Sequence, residues 1–106
     1  MPLYFWQASY TAEGTKGLIK DGGSKRKQAV GQMVEKAGGT LHAFYYAFGE
    51  TDVIAIAEFP DHATALAVSV AVNSVGVVHL RSTLLLAPEE VDAATKKSVA
   101  YRPPGS

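Results

Sequence analysis

Tyr45-Tyr46-Ala47-Phe48-Gly49-Glu50-Thr51-Asp52-Val53-Ile54-Ala55-Ile56-Ala57-Glu58-Phe59-Pro60-Asp61 decides the fold. Two apolar segments of strand character, 40–48 and 53–59, flank a Gly-x-x-Asp turn. Pro60 and Asp61 then open a helix, with Asp61 as its cap. Along the second segment Val53, Ala55, Ala57 and Phe59 alternate with Ile54, Ile56 and Glu58. A carboxylate without a partner is costly to bury. Glu58 therefore assigns the faces: the valine–alanine–phenylalanine set goes under helices, and the isoleucines lie on the other, open face. The turn length sets the register of the facing strand. A two-residue loop pairs 49 with 52 and puts His42 beside Phe59. A three-residue loop pairs 48 with 52 and puts His42 beside Glu58.

Working outward, Pro2 to Tyr10 reads as an aromatic-rich strand. Tyr4, Trp6, Ala8 and Tyr10 share one face, and Leu3, Phe5, Gln7 and Ser9 the other. Residues 11–23 form a long connection containing Gly14, Gly17, Gly22 and Gly23, with a short helical turn around Leu18 and Ile19. Ser24 is placed to cap the next helix, whose stripe is Ala29, Val30, Met33, Val34 and Ala37. Gly38 and Gly39 end it. The helix after Asp61, over 62–75, carries two apolar stripes, Leu66 with Val70 and Val68 with Val72. Such a helix buries two sides, and the second side suggests a subunit contact. Residues 77–87 read as the last strand, with Val78, Leu80, Ser82, Leu84 and Leu86 on one face and His79, Arg81 and Thr83 on the other. Pro88 starts a short helix, with Glu89, Glu90 and Asp92 at its positive end and Lys96 and Lys97 at its negative end. Residues 98–106 form an extended tail.

The order is β-α-β-β-α-β plus a C-terminal helix. Right-handed crossovers make this an α+β, ferredoxin-like domain over residues 1–106: a four-stranded antiparallel sheet with two helices on one face. The uncovered face calls for a second copy of the chain.

Composition narrows the function classes. Net charge is zero, so no global field attracts nucleic acid or an acidic membrane. The first third is mildly basic, with six Lys/Arg against three Asp/Glu in residues 1–37. There are no cysteines, which removes disulfides, thiolate metal sites and a cysteine nucleophile. No apolar run approaches the roughly 20 residues of a membrane span. The opening residues do not read as a signal peptide, and the expected location is the cytoplasm.

The polar residues inside strands are the candidates for chemistry. His42, Glu58, His79 and Arg81 can form either an inter-subunit ion pair with filler histidines or a pocket for an anionic or aromatic molecule. Asp52 is a turn residue first; at a pocket rim it would accept hydrogen bonds from a ligand. Trp6, Tyr10 and Tyr46 pack a core or line an aromatic pocket. Lys16, Lys20, Lys25 and Arg26 form a basic run that an anion could neutralise, although it lacks the Gly-Lys-Ser/Thr end of a Walker loop. No metal-ligand spacing and no catalytic template occurs, so neither metal nor cofactor is implied.

Several stretches resemble the bacterial GYD-domain family over nearly the whole chain. They are the opening Met1-Pro2-Leu3-Tyr4, Gln7 to Gly14 with Lys16-Gly17-Leu18, Gly38-Gly39, the hairpin from Phe44-Tyr45-Tyr46 to Asp52-Val53, and the ending Ser98 to Gly105. Thr51 stands where the family's naming Gly-Tyr-Asp motif has its tyrosine. The resemblance implies a ferredoxin-like, oligomerising protein and no particular reaction. A more distant resemblance runs through the second half. The Gly-x-x-Asp hairpin, Pro60-Asp61, the helix and Val77-x-x-x-Arg81-Ser82-Thr83-Leu84-Leu85-Leu86 are similar to the ligand-binding module of Lrp/AsnC regulators, where small molecules bind near the subunit interface. No helix-turn-helix precedes that stretch here, and the resemblance carries no DNA binding.

The expectation is a homo-oligomeric module, small-molecule-binding or structural, without robust catalysis and with its pocket at the subunit interface. The alternative is a cofactor-independent enzyme of the dimeric α/β-barrel type, monooxygenase- or isomerase-like. It would use His79 or His42 as acid/base and Arg81 as anion clamp.

Overall fold

A computed structural model describes residues 1–106. The elements are β1 (Leu3–Tyr10), α1 (Ala12–Asp21), α2 (Gly23–Lys36), β2 (Thr40–Tyr46), β3 (Val53–Glu58), α3 (His62–Val75), β4 (Val78–Leu85) and α4 (Pro88–Thr95). The four strands form one sheet in the order β2-β3-β1-β4, antiparallel throughout. This is the ferredoxin-like α+β arrangement expected from the alternation in 53–59 and the helix-bearing connections.

Glu58 assigned the faces correctly. Val53, Ala55, Ala57 and Phe59 are buried, as are Tyr4, Trp6 and Ala8 of β1, Phe44 of β2 and Leu80 of β4. Helices α2 and α3 cover this face through Val34, Ala65 and Val68. Phe59 anchors the layer, with its ring tilted against Trp6 at 5.7 Å and against Tyr4 at 6.1 Å between centroids. The Tyr4 hydroxyl pairs with Nδ1 of His62 at the start of α3.

Three local expectations are corrected. Residues 11–23 are not a loop with one helical turn; most of them form α1. Thr11 caps it, its hydroxyl accepting from the Gly14 amide, and Val77 holds the cap by accepting from both the Thr11 amide and hydroxyl, each at 3.0 Å. This docking overrides the poor helix propensity of Gly14 and Gly17. Ser24 is not a cap. The N-cap of α2 is Gly22, whose φ of 84° makes the sharp break between α1 and α2.

The hairpin turn has neither two nor three loop residues. Ala47 donates to the Asp52 carbonyl at 2.8 Å, leaving Phe48 to Thr51 as a four-residue loop, so β2 stops at Tyr46. That register alone would face His42 toward Ala57 and the core. A bulge between Leu41 and Ala43 resets the pairing and turns His42 outward, where its Nε2 lies 2.6 Å from Glu58. Within one copy, α3 covers the sheet with one stripe and leaves exposed the second, the side expected to meet another subunit. Ala65 and Val68 point inward, while Leu66 and Val70 are 65% and 58% exposed.

Beyond β4 the chain leaves the body. Helix α4 buries none of its residues and makes little contact with other elements. Glu90 reaches back to accept from the Ala87 amide and closes its first turn.

Candidate functional site

The strand pleat sorts the candidate residues onto opposite faces of the sheet, so they form no single pocket in one copy. His42, Glu58, His79 and Arg81 lie on the open face. Trp6, Tyr10 and Tyr46 belong to the helix-covered face, and Asp52 sits at the strand ends between them.

On the open face, Leu3, Phe5, Ile54, Ile56, Tyr45 and Leu85 form an apolar sheet surface with no helix over it. The His42–Glu58 pair stands at one end, beside Leu3. Arg81 pairs across from Gln7 and His79 across from Ser9, toward the other end and on the far edge strand. Four residues along and two strands across separate Glu58 from Arg81, roughly 13 Å by 10 Å. Within one copy they therefore make no ion pair. Arg81 instead reaches the hydroxyl of Thr51, at a long 3.5 Å. Thr51, at the motif's tyrosine position, is itself buried. His79 is exposed and its ring has no hydrogen-bond partner in the chain.

Asp52 is committed to the fold. Its carboxylate accepts from the Tyr10 amide at 2.8 Å and its own amide donates to Ala8 at 2.9 Å. These bonds tie the hairpin loop to the end of β1.

The helix-covered face holds a feature the sequence did not announce. Helices α2 and α3 make little contact with each other. Between them opens a crevice of about 200 Å³, floored by Trp6, Ala8, Phe44 and Leu80 and walled by Val30 and Met33 of α2 and Val72 of α3. Eleven of its 12 lining residues are hydrophobic and the twelfth is Arg26, which makes it an apolar slot with one cation. Tyr10 lines it too. Tyr46 stands nearby, its hydroxyl donating to the Gly23 carbonyl at 2.9 Å and its ring edge-on to Phe44. Burial raises the Tyr46 phenol above its ordinary value, the Tyr10 phenol adds to this, and Arg26 opposes it. Of the basic run, only Arg26 reaches the crevice. Lys16, Lys20 and Lys25 occupy exposed helical positions.

One further residue escaped the sequence reading. Asn73 of α3 clasps the backbone of Leu80, its amide donating to the Leu80 carbonyl at 3.0 Å and its side-chain oxygen accepting from the Leu80 amide at 2.7 Å. A lone asparagine among valines late in a helix was the available signal.

No group of three or more His, Asp or Glu side chains is arranged to hold a metal ion. No helix is long and apolar enough to cross a membrane. Among curated proteins and solved structures no match is found. The sequence model of the GYD domain matches residues 4–95, the span from β1 to the end of α4. With its sheet, hairpin and helices inside that span, the chain belongs to the GYD domain family.

Proposed function

We propose that the protein is a homo-oligomeric small-molecule-binding module whose copies join through the open sheet face. The observation that carries this reading is that face. Apolar side chains from all four strands lie on one side of the sheet, and no element of the chain covers them. Contiguous apolar surface of this kind marks an interaction site. A two-fold arrangement buries the same patch on both copies. The polar groups at its two ends, His79 with Arg81 and His42 with Glu58, then come to rim or line the interface, where an anionic or aromatic molecule is recognised.

The enzymatic alternative would fall to His79 with Arg81, which share one end of the open face. His42 is engaged by Glu58, His79 stands at the opposite end of the sheet, and Arg81 is turned toward Thr51.

The test is mass by size-exclusion with light scattering, run on wild type and Ile56→Lys. Wild type is expected at two or more chains, and Ile56→Lys, with a charge placed on the patch, at one. Thermal-shift screening of both against amino acids and nucleotides follows, since a bound ligand raises the melting temperature. Hits are expected on wild type and lost in the variant. A wild type that is monomeric at micromolar concentration overturns the assembly reading. A screen in which no hit is lost in the monomeric variant overturns the interfacial pocket.

A further inference from the structure

The crevice between α2 and α3 lies on the opposite side of the sheet from the proposed assembly surface and needs no second copy to complete it. We propose that it is a binding site for a small aryl carboxylate, a single ring bearing a short acidic arm. This goes beyond the assembly reading and does not rest on it.

Size comes first. An apolar cavity of about 150 Å³ stays dry and takes up benzene. At about 200 Å³ the crevice has room for one ring and a short substituent. The lining gives water almost nothing to bond, so an apolar guest displaces little that is favourable. Trp6 and Phe44 present aromatic surface to a ring, and the Met33 thioether adapts to its edge.

Charge fixes the class. Arg26 is the single charged residue in the lining, and it is half-buried. Its guanidinium has no carboxylate within ion-pair distance and no hydrogen-bond partner in the chain; the chain's one ion pair is His42–Glu58, on the other face. Lys25 and Lys27 flank it on α2, whose first turn carries no acidic residue. Asp21 lines an adjoining depression of about 300 Å³ that Arg26 also borders, without pairing with it. A planar guanidinium at the mouth of an apolar slot matches a carboxylate whose hydrophobic body points inward.

Trp6 is the only tryptophan in the chain, is 4% exposed, and forms part of the crevice floor, so its emission reports occupancy. The experiment titrates phenylacetate and its neutral isostere phenylacetamide into wild type, Arg26→Gln, Val30→Phe and the assembly variant Ile56→Lys. Phenylacetate is expected to give a saturable change in wild type and equally in Ile56→Lys. Phenylacetamide should bind at least about tenfold more weakly, and Arg26→Gln should lose about tenfold for the carboxylate alone, the scale of a hydrogen bond to a charged group. Val30→Phe, filling the slot, should bind neither while keeping its far-ultraviolet circular dichroism. Equal affinity for the two probes, or an Arg26→Gln variant that still prefers the carboxylate, overturns the anionic class. A saturable signal retained by Val30→Phe, or none in wild type up to millimolar probe, overturns the site itself.

Discussion

Gly14 is buried at the first turn of α1, and a Cβ built there would lie 2.4 Å from the Val77 carbonyl oxygen. That oxygen already accepts from Thr11, so it cannot retreat without undoing the cap of α1. Gly14→Ala is expected to destabilise by about 1–3 kcal/mol, the usual cost of forcing atoms into a packed site, read as a lowered urea midpoint. Asp61 caps α3 by accepting from the Thr64 amide at 2.7 Å, and that bond holds its carboxyl below the ordinary 3.8. A depressed folded value means the carboxylate stabilises the fold above pH 3.8 and that this contribution fades as pH falls through the folded value. Asp61→Asn retains a capping oxygen but cannot titrate. The stability gap between wild type and Asp61→Asn, followed by denaturation at successive pH values, should therefore shrink on acidification below the ordinary carboxylate range.

Between elements, the clasp of Asn73 on Leu80 joins α3 to β4, which is an edge strand with one neighbour. It occupies an amide and a carbonyl that would otherwise be free to pair with another chain. Asn73→Ala leaves both without their partner and should cost about 1–3 kcal/mol, seen as a lower melting temperature and faster amide exchange at Leu80. The elements themselves were legible because their signals are local. The alternation from Val53 to Phe59 with Glu58 inside it placed β3 and its faces, and Pro60-Asp61 placed the start of α3. Helix α1 was not legible, because its glycines disfavour a helix and the compensating contact, Val77, lies more than sixty residues away. The bulge at His42 was hidden for a similar reason. Turn length and strand irregularity offset each other, so His42 meets Glu58 although neither simple loop length occurs. The crevice was the least legible feature. Trp6, Tyr10, Met33 and Arg26 each stood out in the sequence, but nothing local states that α2 and α3 stand apart.

Over the whole molecule, the body and the C-terminal arm contribute unequally. Residues 88–106 bury nothing, so deleting them should leave the melting temperature within a few degrees of the full chain, measured by calorimetry. The same arm stretches the molecule to 56 Å in its longest direction against 24 Å in its shortest. Its radius of gyration is 17.1 Å, where a compact chain of this length has about 13 Å. A particle of that shape drags more solvent than a sphere of equal mass and leaves a gel-filtration column early. One copy can therefore elute where a compact dimer would, and elution volume by itself would count subunits wrongly. Mass from scattered light, or sedimentation with the frictional ratio fitted, separates shape from stoichiometry, and the chain without its arm, measured beside the full one, calibrates the difference.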